Sequence, residues 1–256
     1  MLDFLFKSKR REALRTKALS AEQRAFVRNN VPYVTSLSEE DGRELEGHIQ
    51  IFLAEKNFEG CGGLVLTDEI RLSIATQACV LLLHRDTDYY PGVESILVYP
   101  SAYIVKNTRT ALGETVVEAD QTRIGESWVR GVVVLAWDAV RQGASNAHDG
   151  HNVVFHEFAH QLDAEGRVPE LKGSSYGAWA RVLGDEYDDL VERVFAHQST
   201  DIDAYGATNP AEFFAVVTEA FFETGTRLRS RHPDLYEALR TFYRQDPAAA
   251  NTPVHD

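Results

Sequence analysis

Residues 153–163 read Val-Val-Phe-His-Glu-Phe-Ala-His-Gln-Leu-Asp, and within them lies the pattern His-Glu-x-x-His. Residues four apart on a helix lie one turn apart on one face, so His156 and His160 can hold one metal ion between them. Glu157 stands beside the first histidine, placed to take a proton from metal-bound water rather than to bind the metal. Zinc lowers the pKa of such a water to about 7, and a carboxylate within hydrogen-bond reach completes its activation. At this composition the five-residue pattern arises by accident only about 0.03 times per chain. The surrounding Val154, Phe158, Ala159, Gln161 and Leu162 carry no charge. That suits a helix buried on one side, with a polar face opening on a cleft.

A hydrolytic zinc site needs a third protein ligand and an open position. The metzincin pattern is excluded, because the chain has Asp163 and Gly166 where that class needs Gly and His. A carboxylate from a later helix is the natural alternative, and the segment from Asn209 to Glu219 supplies two. Asn209 is a good N-cap and Pro210 fits the first helical position. Glu212 and Glu219 are seven residues apart, so they share a face of a helix that is otherwise apolar. Acids there are costly unless paired or metal-bound. Glu212 also fits a capping box with Asn209. Spacing alone leaves the ligand role open between Glu212 and Glu219.

His156-Glu157-Phe158-Ala159-His160-Gln161-Leu162-Asp163, followed by the run from Asp203 through Tyr205 and Pro210-Ala211-Glu212 to Ala215, strongly resembles the Mlc titration factor A family. Those proteins are zinc peptidases related in their catalytic core to anthrax lethal factor. The likeness runs from about Gly60 to Gln245, takes in Val98-Tyr99-Pro100 and Gly125-Glu126-Ser127-Trp128, and is weaker over the first 30 or so residues. It implies one Zn(2+) per chain on His156, His160 and Glu212, with Glu157 as catalytic base. It also implies that Tyr205, seven residues before Glu212, donates to the developing oxyanion or protonates the leaving amine. Glu219 then either orients a zinc-bound histidine or serves as a buried helix partner. Asp163 has the same two readings, orienting group or helix end. The resemblance further implies aminopeptidase-type hydrolysis of small peptide substrates and a regulatory role through binding a Mlc-type transcription repressor. The competing reading is a non-catalytic protein that sequesters such a repressor, with hydrolysis incidental. A purely structural zinc site is disfavoured, since those usually close with four protein ligands.

These residues must be positioned by their elements. Ser20 with Gln23 has the form of a capping box, and Ser38 opens a helix carrying Leu45, His48, Ile49, Phe52 and Leu53 at helical spacing. Thr67 opens another, whose run from Ile74 to Leu83 is apolar nearly all round and belongs in a core. Residues 95–100, 102–105, 115–118 and 131–138 read as strands; the last is β-branched and the strongest. Helices are expected over about 152–164, 176–197, 210–224 and 233–244. The strand Gly131–Asp138 is, by analogy, a candidate edge for pairing with an extended substrate; a buried central strand fits its composition equally well. His148 and His151 fall in a polar loop before the motif.

The expected architecture is α+β: a zincin-like domain over residues 31–246, with helices around a small mixed β-sheet. It is preceded by a basic helical segment, 1–30, and followed by a loose tail, 247–256. The net charge of −13 is uneven. Residues 1–28 hold eight Lys/Arg against three acids, leaving −18 on the remainder. Such an acidic body argues against direct nucleic-acid binding, which needs Lys and Arg for phosphate, and complements a basic protein partner. The basic segment reads as a solvated amphipathic helix. Two cysteines, Cys61 and Cys79, are too few for a disulfide framework. The opening apolar group is broken by Asp3 and stopped by Lys7, too short for a signal or a membrane span. A cytoplasmic protein is expected.

Overall fold

The computed structural model describes residues 2–101, 103–105, 121–123, 125–126, 131–165 and 174–250. In chain order, α1 (Leu2–Arg15), α2 (Ala21–Asn30) and α3 (Glu39–Glu55) lead to strand β1 (Asn57–Gly60) and helix α4 (Asp68–Val80). Strands β2 (Ser95–Tyr99), β3 (Tyr103–Val105), β4 (Gln121–Arg123), β5 (Gly125–Glu126) and β6 (Val132–Ala136) follow. Helices α5 (Trp137–Ser145), α6 (Val153–Ala164), α7 (Ser174–Phe195), α8 (Pro210–Glu223), α9 (Gly225–Arg231), α10 (Pro233–Tyr243) and α11 (Pro247–Ala250) complete the fold.

The architecture is α+β, with a small mixed sheet in the order β1-β2-β6-β5. The first three strands are parallel, with Phe58, Ile96 and Val133 in register; β5 runs antiparallel and sets Gly125 opposite Leu135. β3 and β4 form a separate antiparallel pair. The alternation of β2 buries Ile96 and Val98. α4, whose run from Ile74 is apolar nearly all round and expected in a core, is buried from Ile70 through Val80 apart from Arg71 and packs against α2, α3, α5 and α6.

The caps follow the sequence. Ser20 and Gln23 form the reciprocal box, while Ser38 and Thr67 accept from the N–H groups of Asp41 and Ile70. The strand predicted over 131–138 is shorter, because Trp137 and Asp138 turn into α5. Asp138 is then a first-turn acid, favoured where helix N–H groups point outward. β6 is also interior rather than an edge at Val134 and Leu135, since β2 pairs on one side and β5 on the other. The central-strand reading is therefore the correct one there. β1, the short β4 and β5, and helices α5, α9 and α11 were not expected. The expected strand at 115–118, the pair Ser127-Trp128 and residues 251–256 lie outside the described residues. Ala248 is fully buried, with its N–H on the Tyr236 hydroxyl, so the start of the expected tail is packed.

α1 is not simply solvated. Arg11 forms a two-pronged pair with Glu55 of α3, 2.7 Å at each oxygen, bonds Asp88, and lies 4.7 Å over the Tyr89 ring. Arg15 donates to the Tyr89 hydroxyl at 3.1 Å. A planar guanidinium suits this bidentate, stacked arrangement in a way a lysine does not. We expect Arg11→Met to cost on the order of 1–3 kcal/mol in urea unfolding. A midpoint unchanged from wild type would mean that α1 contributes nothing to the body.

Candidate metal centre

The motif helix α6 is inserted by its apolar side. Val154, Phe155, Phe158, Ala159 and Leu162 are buried, and the Phe158 ring meets Tyr90 at 4.7 Å and Phe52 at 5.6 Å between centroids. The opposite side carries His156 and His160, half-buried, with their rings edge-to-face at 4.8 Å. Asn152 caps the helix, its side-chain oxygen accepting from the N–H groups of Val154 and Phe155.

α8 lies across α6 and begins in the same way. Asn209 accepts from the N–H groups of Ala211 and Glu212, and Pro210 takes the first turn. The cap is therefore present, yet the Glu212 carboxylate faces the histidines. Its Oε2 lies 3.0 Å from His156 Nε2 and 3.3 Å from His160 Nε2, and the two Nε2 atoms are 3.2 Å apart. Ligand atoms in a tetrahedral zinc centre with bonds of about 2.0–2.1 Å stand about 3.3 Å from one another. Two imidazole nitrogens and one carboxylate oxygen at these separations match the open, hydrolytic type of zinc donor set, so the residues fit the metal.

Glu219, one near-integral set of turns along α8, reaches the other side of the same ring. Its Oε1 is 2.7 Å from His156 Nδ1, and its Oε2 accepts from the Asn152 backbone N–H. An ionised carboxylate can only accept, which places a ring proton on Nδ1 toward Glu219, so Nε2, facing His160 and Glu212, is the nitrogen that would give up its proton to a metal. Of the two readings of Glu219, the arrangement is that of an orienting carboxylate. Asp163 stands exposed on the last turn of α6, where it acts on His160 only through its charge.

The electrostatics follow from these contacts. Burial works against a charged His156, but hydrogen bonds to Glu212 and Glu219 override it and hold the imidazole at about 10. His160 is pushed down by burial and by the neighbouring His156. Glu212 is lowered by its bond to His156. Without a metal, the cluster thus holds its positive charge on His156 between the two carboxylates.

Glu157 is buried on α6 next to His156. Tyr205 lies on a 3-10 turn, Ala204–Thr208, packed against α8 and α7. Its ring is exposed and stands 6.0 Å from the His156 ring. Asp203 caps that turn on Tyr205 N–H, and its other oxygen is 3.8 Å from His151 Nε2. The structure thus brings His156, His160 and Glu212 together, with Glu157 buried on the same helix and the Tyr205 ring beside that of His156, and His148 is an exposed loop residue. Cys79 is buried and Cys61 half-buried, both as free thiols.

Sequence reading did not single out a second carboxylate-histidine group, Asp41, Glu44 and His84. There the two ring nitrogens face different carboxylates, Nε2 toward Asp41 at 3.1 Å and Nδ1 toward Glu44 at 3.5 Å, as in an ion-pair clamp. It also passed over Glu223, which is buried and accepts from the Gly150 N–H at 3.0 Å, anchoring the loop that leads into α6. Burial, and then the charges of Asp149 and Glu219, push its carboxyl up to about 8.

Two predictions follow from this geometry. Glu219→Gln should weaken zinc binding about 10- to 100-fold, as expected for a group that orients a ligand, while Glu212→Ala should weaken it further; equal affinities in wild type and Glu219→Gln would remove the orienting role. The second concerns pH. Folded Glu223 keeps a proton that the unfolded chain gives up in the ordinary carboxylate range, so its contribution to stability is full below that range and is lost as pH rises through about 8. Glu223→Gln should therefore raise the melting temperature at pH 9 and change it little at pH 5. A difference independent of pH would mean that this carboxyl is ionised in the folded chain at both.

Comparison with known proteins converges on the same class. The chain is 43% identical over 244 residues to the uncharacterized protein slr2042 of Synechocystis, covering 93% of this chain and 89% of that protein. It is 30% identical over 228 residues to Mlc titration factor A of Yersinia pestis, covering 86% of this chain and 83% of that protein, and equally to that of Yersinia pseudotuberculosis. The family model described as glucose-regulated metallo-peptidase M90 matches residues 5–244. A metallopeptidase-type chain with a His-His-Glu cluster that could hold a metal between α6 and α8, it belongs to the glucose-regulated metallo-peptidase M90 family.

Proposed function

We propose that the protein is a zinc-dependent peptidase of aminopeptidase type, holding one zinc on His156, His160 and Glu212. The observation that carries this reading is the convergence of His156 Nε2, His160 Nε2 and Glu212 Oε2 on one point, with Glu157 buried beside them on the same helix. Zinc, when bound, supplies Lewis acidity: it polarises the substrate carbonyl and acidifies water.

The chain's own residues do the rest. Glu157 takes the proton of the attacking water at its carboxylate and passes it toward the leaving amine. Glu219 holds the proton on His156 Nδ1, so Nε2 keeps its lone pair directed at the metal. Tyr205 sits within reach of the same point, and its phenolic hydroxyl donates to the oxyanion that develops as the carbonyl is attacked. Its exposure fits a group that meets substrate rather than the core.

A second function is compatible with the first. The Yersinia relatives are named Mlc titration factor A, and the acidic body outside residues 1–28 complements a basic partner. We propose binding of a Mlc-type transcription repressor by this surface, independent of hydrolysis. No described helix is long and apolar enough to cross a membrane.

The test pairs metal analysis with peptide hydrolysis. Wild type should carry about one zinc and cleave aminoacyl substrates. Glu157→Gln should keep the zinc and lose at least about 10³-fold in kcat, and Tyr205→Phe should lose about 10²-fold with KM little changed. Glu157→Gln that retains activity sinks the assignment of the base. Zinc-loaded wild type that cleaves nothing on a broad peptide panel leaves the binding function as the chain's role. Retention of a purified Mlc-type repressor by Glu157→Gln separates the two functions, and its loss in that variant would join them.

A further inference from the structure

Next to the candidate metal centre, a run of buried polar groups links α4 to α8 through Asn152, the residue that caps the motif helix. Asn152 is at its centre and is buried. Its side-chain oxygen accepts from two α6 N–H groups at 3.1 Å each. That commitment fixes the amide, so its nitrogen must point the other way. There it donates to Gln77 Oε1 at 2.9 Å. Gln77 is fully buried on α4 and is itself held by its Nε2 donating to the Ser73 carbonyl at 3.2 Å. The backbone N–H of Asn152 donates to Glu219 Oε2, while Glu219 Oε1 meets His156 Nδ1 at 2.7 Å.

We infer that Asn152, locked by Gln77, is a positioning residue for the metal centre: it pins the Glu219 carboxylate that sets the orientation of His156. A carboxylate anchored at one oxygen swings about its last torsion, whereas one anchored at both oxygens is fixed. His156 Nδ1 and Asn152 N–H are those two anchors. The second anchor is a backbone group, so its position depends on how the 150–152 turn is seated: Glu223 holds its Gly150 end and Gln77 its Asn152 end.

The packing supports the same assignment. Gly143 of α5 lies against Asn152, and a Cβ at Gly143 would fall 3.0 Å from the Asn152 Cα and 3.1 Å from its Cγ. Backbone atoms on that side cannot yield as a flexible side chain would. Side chain and backbone of Asn152 thus tie α4, α5, α6 and α8 together. An ordinary cap residue would not serve equally. Serine lacks the donor for Gln77, and aspartate sets an acceptor against the Gln77 oxygen and a second charge near Glu219.

This inference rests on the reading of His156, His160 and Glu212 as the zinc ligands, and the experiment separates the two. Zinc affinity of the full chain is measured by competition with a chromogenic chelator at pH 7.5, alongside the downfield imidazole N–H resonance of His156 in the zinc-loaded protein. Gln77→Met keeps the volume but removes the amide, and should weaken zinc about 10-fold and speed exchange of the His156 Nδ1 proton. Gly143→Ala reaches Asn152 from another helix and should also weaken zinc, which keeps the test informative if Gln77→Met does not fold. Ile74→Val, a buried change elsewhere on α4, is the control for general loosening and should leave the affinity unchanged.

Zinc affinity and imidazole exchange within twofold of wild type in both Gln77→Met and Gly143→Ala would overturn the positioning role while leaving the ligands standing. A loss no greater than that of Ile74→Val would overturn it as well. Wild type that binds no zinc, or binds it undiminished in His156→Ala, would defeat the ligand assignment and this inference with it.

Discussion

The His156 imidazole is clamped between two carboxylates of one helix, Glu212 on Nε2 and Glu219 on Nδ1, and the arrangement of the site elements depends on that clamp. Glu212 and Glu219, two of the three acids of this largely apolar helix, carry a desolvation cost of several kcal/mol each if left alone. Here they are seven residues apart, on one face, and share a single ring of the opposing helix. The polar demand of α8 is thus met by α6, and the two helices are locked in one relative position. The separations that result among His156, His160 and Glu212 are those of a tetrahedral donor set.

The rest of the fold holds α6 and α8 still. Both begin with an asparagine bonded to two successive backbone N–H groups, so the first turn next to the site is fixed at each. Both are gripped by aromatic packing on the face away from the site: Phe155 and Phe158 on α6, Phe213, Phe214, Phe221 and Phe222 on α8. The Phe155 and Phe222 rings lie 5.2 Å apart and join the two helices directly. Tight packing of this kind resists sub-ångström adjustment, and that rigidity holds the three facing atoms of His156, His160 and Glu212 in place. The sheet supplies none of the three atoms; its strands β5 and β6 pack against α6.

Charge is distributed by the same economy. The basic segment does not float beside the acidic body but is strapped to it, with Arg11 spending its donors on Glu55 and Asp88. Exposed basic residues such as Arg10 and Lys17 remain, while the bulk of the acidic surface stays available. A chain with this distribution repels nucleic acid over most of its surface and is suited to proteins of opposite charge.

By itself the sequence determined the chemistry and most of the helices. The i, i+4 histidines with an adjacent glutamate are a local pattern, and local patterns survive being read without a fold. So do the caps at Ser20, Ser38, Thr67 and Asn209, because a cap depends on three or four consecutive residues. What the sequence left open is what depends on distance between elements. Glu212 and Glu219 were indistinguishable by spacing, since seven residues return a helix to the same face; only the docking of α8 on α6 decided which ring nitrogen each would meet. The interior position of β6 was undecidable for the same reason, because its β-branched run suits any buried strand, whereas being an edge is a property of its neighbours. Gln77 looked like one more residue of an apolar helix, and nothing near it in the chain pointed to Asn152. Tertiary structure decided these cases because hydrogen-bond partners up to 75 residues away, and the neighbours of a strand, are chosen by packing, not by local conformation.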